Sequence, residues 1–508
     1  AAVRDVADST RYRTPFAPAC RPVLLGIATA GVASADNSAA AALGGITANG
    51  TGTNCAGDCL ALATGLLVNA DLRPTTPGAQ RVEVRFLAPA PSSSSLAAAV
   101  AASGRPPLDL DDRHAVISLL AHALQNDAAV GIDQRISAAG FEYAPFASPD
   151  TAVYYGLSAA VPFPPWPGNL RRYRLAATVA GPAVTDRNDG PVFDAGSGRL
   201  VPGSRSEWSS LPDGEDITRG GAAALLPDAL SRRVFTDLTT EPLTAAANRF
   251  SAGNPGLTRA RLALEPEDPR SVSDVVAWTL GRDALDEDAD GNRDEPRGGL
   301  GDPGQQAPRV LRYASDGPAL AFVATGDGLL HAFDADTGEE RWAFLPAVLL
   351  PRLAALAPGY RSLSRGHGID GPLTLAWHDR GHDGRLVGAD GDRAWLLGGL
   401  GRGGTGYFAL DVIDPDAPRL LWSLDAGDLP GFGQSWPAPV LARMRLADGN
   451  VQRVALLAGG FDPAEDASVA PARSLGAAVA IIDVESGRLL WRAGVAGPDT
   501  DLEVPALQ

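Results

Sequence analysis

The chain has 508 residues, 45% hydrophobic and 20% charged. That is long enough for several domains with sizeable cores and too apolar for a disordered polypeptide. The formal net charge of −17 argues against nucleic acid and acidic membrane surfaces as partners and suits divalent cations. Lysine is absent, which a GC-rich genome explains more simply than resistance to lysine modification.

In chain order, residues 21–27 read as a buried strand, 58–68 as a helix opened by an aspartate cap, 82–87 as a second strand, and 113–124 as a helix with apolar residues at helical spacing. A Ser/Pro stretch over 89–95 is a loop. This alternation predicts an α/β layer over 1–135. All three cysteines lie here: Cys20, Cys55 and Cys59. The Cys-x3-Cys spacing, with no second pair and no histidine nearby, argues against zinc. If the chain is exported, Cys20 can pair with either of the others, leaving one thiol over. The chain opens Ala-Ala-Val-Arg without a signal-peptide pattern, as a mature chain or a fragment would. No apolar run approaches a membrane span.

From residue 136 to 270 the texture becomes β-rich. Strands at 153–161 and 169–175 flank the Pro-rich segment 162–168, which can be neither helix nor central strand. A short helix over 273–280 opens a segment, 271–304, that continues into an acidic loop.

That loop reads Asp286-Glu-Asp288-Ala-Asp290-Gly291-Asn292-Arg-Asp294-Glu295. Carboxylates at positions one, three, five and nine, with glycine at six, match a calcium loop. Alternate residues aim oxygens at one cation, and glycine permits the reversal. The candidate ligands are Asp286, Asp288, Asp290, the carbonyl of Asn292, and Asp294. All are hard oxygens, favouring Ca2+ over zinc or copper, and over Mg2+ with its rigid octahedron. Position twelve is Arg297 rather than glutamate, and no strong helix follows. The loop is therefore EF-hand-like in ligands alone, with Asp294 or Glu295 completing coordination at weak to moderate affinity. The plain alternative is a solvated acidic turn, whose aspartates would repel one another.

Over 305–508 one phrase occurs three times: an apolar strand, an Asp-led turn closing on Gly or Pro, and a strand carrying tryptophan. The markers are Asp334 with Trp342, Asp411 with Trp422, and Asp483 with Trp491. A recurring hairpin predicts a β-propeller. The tryptophans lie 80 and 69 residues apart, whereas a regular blade takes about 40–50. Blades are therefore enlarged or partly unmarked, and a ring of about four or five would stay open. His331 reads as a packed strand residue, and Asp334 and Asp336 as turn caps. The glycines of 401–406 read as a turn leading into a strand rather than a phosphate loop, and the His367-Gly-Ile-Asp370 stretch as turn structure rather than acid–base machinery.

These residues resemble a known family, the PilC/PilY-like adhesins at the tip of type IV pili. The resemblance rests on Trp166-Pro-Gly-Asn-Leu-Arg-Arg-Tyr-Arg-Leu, the loop over 282–297, Gly301-Asp-Pro, the phrase over 326–346, His367-Gly-Ile-Asp-Gly, and Arg402-Gly-Gly-Thr-Gly-Tyr-Phe-Ala-Leu-Asp411. It implies a multidomain fold: a partial von Willebrand A-like α/β domain (1–135), a β-rich connecting module (136–270), a helix and calcium loop (271–304), and an incomplete β-propeller with quinoprotein-like repeats (305–508). The metal-binding Asp-x-Ser-x-Ser triplet of such α/β domains is absent, and Ala28-Thr-Ala-Gly stands where Thr-Asp-Gly is expected. The loop over 286–294 looks like the family's receptor-associated calcium loop. The later calcium loop, linked to pilus retraction, has no counterpart before Gln508, and no Arg-Gly-Asp tripeptide occurs.

The resemblance implies a non-enzymatic, exported, calcium-binding pilus tip protein supporting assembly, twitching motility and adhesion. It would act at the pilus tip, at the cell surface, or at the outer membrane and periplasm. Its partners would be minor pilins and a host or abiotic surface. The competing expectation is a periplasmic pyrroloquinoline quinone dehydrogenase, against which stand the missing adjacent-cysteine pair and a calcium loop outside the propeller. A β-barrel assembly scaffold would lack the acidic loop and the Trp166 phrase.

Overall fold

The structure is a computed structural model describing residues 23–28, 64–65, 67–69, 82–87, 94–104, 133–144, 152–160, 166–178, 181–287, 291–304, 306–357, 367–446, 449–466 and 475–494. It divides into two compact units, Ala1–Ile132 and Asp133–Gln508.

In the first unit, β1 (Val23–Ala28) and β2 (Val82–Leu87) pair in parallel, from Val23 opposite Val82 to Ala28 opposite Leu87. Parallel pairing requires a long crossover, and helical residues occur within it at 64–65 and 67–69. Helix α1 (Ser94–Ser103) follows, and Val84, Phe86 and Ala99 are buried. The expected helix over 113–124 and the three cysteines lie outside the described residues.

The second unit opens with β3 (Asp133–Ile136), β4 (Gly140–Tyr143), β5 (Ala152–Ala160), β6 (Pro167–Thr178) and β7 (Gly181–Thr185). Beyond Thr185 the chain runs mostly in capped turns, with β8 (Val234–Thr236) and then helix α2 (Val272–Thr279), so strands concentrate at the start of the expected β-rich stretch. After β9 (Leu300–Gly301) come three antiparallel four-stranded sets. Sheet I is β10 (Arg309–Arg312), β11 (Ala319–Ala324), β12 (Leu330–Asp334) and β13 (Glu340–Leu345). Sheet II is β14 (Leu373–His378), β15 (Arg393–Gly399), β16 (Gly406–Asp411) and β17 (Arg419–Asp425). Sheet III is β18 (Val440–Arg445), β19 (Val451–Ala458), β20 (Ala478–Asp483) and β21 (Leu489–Gly494). Sheet I is extended by β4 on one edge and β8 on the other, which joins it to β5, β6 and β7.

The tryptophan hairpins are built alike. Asp334 Oδ1 accepts from the Asp336 and Thr337 amides, Asp411 Oδ1 from Ile413, and Asp483 Oδ1 from Ser486. These side-chain caps pre-shape each turn. Asp336 departs from the expectation of a second cap: its carboxylate pairs with Arg312 at 2.8 Å, because that buried guanidinium lies across the turn. Each hairpin also carries a register shift two residues before its aspartate, at Ala332/Phe333, Ala409/Leu410 and Ile481/Ile482. The shift sets Trp342 opposite Ala332, Trp422 opposite Ala409 and Trp491 opposite Ile481.

The sheets pack face to face on these rows. Phe322, Ala332 and Trp342 of sheet I share one core with Leu396, Phe408 and Leu410 of sheet II. Leu397, Ala409 and Trp422 of sheet II share a second with Ala455, Leu457 and Ile482 of sheet III. The two buried hairpin tryptophans each donate their Nε1–H to a carbonyl in the next sheet's turn, Trp342 to Pro415 at 3.0 Å and Trp422 to Val484 at 2.9 Å. The polar edge of the ring is thereby satisfied while its face is buried.

Candidate functional site

Helix α2 is started by Ser271, whose hydroxyl accepts from the Asp274 amide while Asp274 reaches back to the Ser271 amide. This capping box fixes its first turn. The helix buries Val275, Val276 and Trp278, and Gly281 at φ +98° turns the chain out of it. The acidic excursion that follows is closed at its neck by backbone bonds. The Asp283 amide donates to the Glu295 carbonyl at 2.8 Å, and the Arg297 amide to the Gly281 carbonyl at 2.8 Å.

Side chains reinforce the neck. Both Asp283 carboxylate oxygens accept from the Glu287 amide, at 2.9 and 3.1 Å. Glu287 in turn accepts from Trp278 Nε1. Arg297 lies over the Trp278 ring, 4.1 Å from its centroid, and pairs with buried Asp327 at 2.9 Å. Arg297, at the position where an EF-hand would have a bidentate glutamate, is thus an internal clamp.

A buried polar chain continues from Asp327 into sheet I. Thr325 Oγ1 donates to Asp327 and lies 3.2 Å from His331 Nε2, while His331 Nδ1 lies 2.7 Å from Glu340. Arg232 makes a two-pronged bond to Glu340 at 2.7 Å per contact and donates to the Leu280 carbonyl at 2.7 Å. The chain of contacts therefore begins at the residue just before the loop and ends at its last. Burial pushes the Glu340 carboxyl up, but Arg232 and His331 outweigh it and bring it down to about 2. Burial likewise opposes ionisation of Asp327, and Arg297 with His331 holds it below the usual carboxylate range.

Of the sequence-derived ligands, Asp288 and Asp290 lie outside the described residues. Asp286 takes φ +56°, and its Oδ1 accepts from the Gly291 amide at 3.0 Å. Asn292 braces the loop by donating to Glu295 at 3.3 Å and accepting from the Asp294 amide at 3.1 Å. Asp294 is exposed and stands 3.4 Å from Arg282. Among the described residues no group of three or more His, Cys, Asp or Glu converges on one metal position. Instead Asp283, Glu287, Glu295 and Arg297 line a cavity of about 410 Å3 together with Trp166 and Thr218. The acidic loop and the Trp166 phrase, distant in sequence, thus meet at one place.

The Trp166 phrase does structural work on the opposite strand face. Asn169 Nδ2 donates to the carbonyls of Ile217 at 2.8 Å and Gly220 at 3.0 Å. Arg171, fully buried, donates to the carbonyls of Gly214 at 2.6 Å and Arg219 at 3.0 Å, and pairs with Asp213 at 3.3 Å. Two alternate residues of β6 thereby hold a long irregular segment on the strand. His367 and Arg402 approach Asp370 at 4.0 and 3.5 Å, and Arg402 stacks over Trp436 at 5.1 Å beside a cavity of about 950 Å3.

Sequence reasoning missed Arg232, Asp327 and Glu340. A signal was present: counted from the turn aspartate, His331 stands where the other copies have Phe408 and Ala480. Counted from the tryptophan, Glu340 stands where they have Leu420 and Leu489. Polar residues at two apolar repeat positions mark a buried network.

The fold and the site define a β-rich, multi-sheet protein whose stacked tryptophan hairpins are pinned to an acidic loop by a buried charge network. No family model matches the chain. It is 41% identical over 141 residues to the type IV pilus biogenesis factor PilY1 homolog of Xylella fastidiosa, a stretch covering 27% of this chain and 10% of that protein. It is 26% identical over 355 residues to the type IV pilus biogenesis factor PilY1 of Pseudomonas aeruginosa, covering 65% of this chain and 26% of the relative. Among solved structures, the crystal structure of the P. aeruginosa PilY1 C-terminal domain matches with a TM-score of 0.26 and 27% identity, over 38% of this chain and 32% of that one. Over the matched part of its length the chain is PilY1-like, and it spans between a tenth and about a quarter of those curated relatives. No helix among the described residues is long and apolar enough to cross a membrane.

Proposed function

We propose that this chain is part of an exported type IV pilus biogenesis factor, a non-enzymatic tip protein supporting assembly, twitching and attachment. The observation that carries the proposal is its similarity to the PilY1 factors of two bacteria. In this reading sheets I to III are blades of a β-propeller, and the first unit is a degenerate von Willebrand A-like domain. The stacked sheets serve as a stiff platform for minor pilins or a surface. The acidic loop takes Ca2+ through oxygens drawn from Asp286, Asp288, Asp290, Asn292 and Asp294. The neck braced by Arg297 supports the reading, because a pre-closed loop loses less entropy when a cation orders its tip. Deleting the gene should abolish piliation, twitching and attachment together, and unchanged phenotypes would refute the pilus role. Calorimetric Ca2+ titration should give a saturable heat that Asp288→Ala with Asp290→Ala removes. Equal heats in both proteins would refute the metal site alone.

A further inference from the structure

Past the core shared by sheets II and III, the rows that face each other turn cationic. On sheet II, Trp395 and Leu397 lie in that core. Two residues before Trp395 on β15 stands Arg393, directly opposite His378 of β14. On sheet III, Ala455 and Leu457 lie in the same core. Two residues before Ala455 on β19 stands Arg453, directly opposite Arg443 of β18. Period-two alternation places all four on the faces the two sheets turn toward each other. The rows meet there: the Arg453 guanidinium lies 4.8 Å from the Trp395 ring centroid.

Left to itself this rim is costly. Like charges directly opposite across an antiparallel pair destabilise it, and among the described residues no carboxylate forms an ion pair with Arg393, Arg443 or Arg453. Elsewhere the chain matches its buried guanidiniums, Arg232 to Glu340 and Arg312 to Glu142. The carboxylates whose fields reach the rim are engaged: Glu485 accepts from Trp395 Nε1 at 3.0 Å, and Asp392 from the Arg380 and Val387 amides at 2.8 Å. Burial, Arg443 and Arg393 depress the Arg453 guanidinium in spite of Glu485. Burial, Arg453, Arg443 and His382 likewise depress the His378 imidazole in spite of Asp392. We infer that the rim binds a compact, doubly charged oxyanion, a phosphate or sulfate group, held by Arg443 and Arg453 with Arg393 and His378 on the facing sheet. The guanidinium fork matches two oxygens of such a group. Arg443 is exposed and leaves the way in open, and Arg453 is already seated on the indole. A dianion offsets the facing pair, which one singly charged ion does not. A long polyanion is disfavoured, because the formal net charge of −17 repels it wherever it runs past the rim. The site depends on neither the pilus nor the calcium reading.

Calorimetric titration in Ca2+-free buffer of low ionic strength is the test, with sodium phosphate and sodium sulfate as probes and sodium chloride at matched ionic strength as control. Phosphate and sulfate should each bind saturably and chloride should not. Arg443→Gln or Arg453→Gln should weaken phosphate binding about tenfold or more. Urea denaturation separates binding from packing. Without phosphate, Arg443→Gln should leave the midpoint unchanged or raise it, since it removes a facing like charge; with phosphate, only the wild type should gain. Glucose 6-phosphate distinguishes the sources: tighter binding than free phosphate assigns the group to an ester carried on a larger ligand, and weaker binding to the free ion. Absence of saturable phosphate and sulfate binding, equal affinity in Arg443→Gln, or an Arg443→Gln midpoint loss that phosphate does not affect would overturn the inference. So would binding of heparin with phosphate and sulfate inert, which would identify a long sulfated polymer as the occupant.

Discussion

Replacing Arg297 by methionine should uncouple the acidic loop from sheet I. The side chain keeps the apolar stem and ends short of the guanidinium, so the charge and its stacking over Trp278 are removed together. Asp327 would then remain ionised and buried, its 2.9 Å partner gone. Removing one member of a buried pair costs about 3–5 kcal/mol, and losing the cation over the indole about 0.5–2 kcal/mol more. The Thr325 hydroxyl still donates to Asp327, and the neck keeps its two backbone bonds, so the lower end, roughly 3 kcal/mol, is expected. Urea denaturation of wild type, Arg297→Met, Asp327→Leu and the double variant gives the coupling directly. The double variant should be well over 1 kcal/mol more stable than the two single losses sum to, by about 2 kcal/mol. Additive losses, or a single loss under about 0.5 kcal/mol, would refute the clamp.

Glu340, brought from an ordinary 4.5 to about 2 by Arg232 and His331 against its burial, contributes stability that is complete above pH 4.5 and lost as pH falls toward 2. The amount is about 3 kcal/mol at 1.36 kcal/mol per unit, so urea midpoints should be flat from pH 7 to 5 and fall steeply below 4. A Glu340→Gln variant should flatten that acid limb. Arg171→Met should free the segment it holds through the Gly214 and Arg219 carbonyls. The expected cost is about 3–5 kcal/mol, with early hydrogen exchange and proteolysis confined at first to 213–221. Chelating Ca2+ should raise exchange over 286–294 and leave the urea midpoint within about 0.5 kcal/mol; a large global loss would show that the cation braces more than the tip.

The hairpins were legible because their information is local. An aspartate two or three residues before the amides that donate to it, a tight Gly or Pro, and a tryptophan eight to eleven positions on write turn and docking residue within about twenty positions. The bulge itself is invisible in the sequence, yet it is what rotates each tryptophan into register. The charge network was illegible for the opposite reason: Arg232 and Glu340 are 108 residues apart, and Arg297 and Asp327 are 30 apart. The capping assigned to Asp336 failed on the same ground, since a distant guanidinium outcompeted the local turn. The Trp166 phrase was recognisable as a string, but its role in holding carbonyls of a segment some 45 residues on arises only when the fold brings that segment to the strand.

The acidic loop separates into two electrostatic layers, and this bears on how a cation could act there. At the neck, Asp283 and Glu287 already accept from an amide and an indole, and Asp327 is paired with a guanidinium, so these carboxylates are engaged by the protein itself. At the tip, Asp294 is exposed and, among the described residues, Asp286 accepts from the Gly291 amide through one oxygen. A divalent ion seated among tip oxygens therefore need not compete with Arg297, and mutual repulsion there is relieved without disturbing the buried pair. The arginine at the twelfth loop position thus carries a consequence: it ties the loop's exit to the sheets permanently, where a bidentate glutamate would make that tie depend on the metal. In the proposed reading, cation occupancy and anchorage are then separate variables, and a cation taken up or released at the tip would leave the stacked sheets behind it fixed.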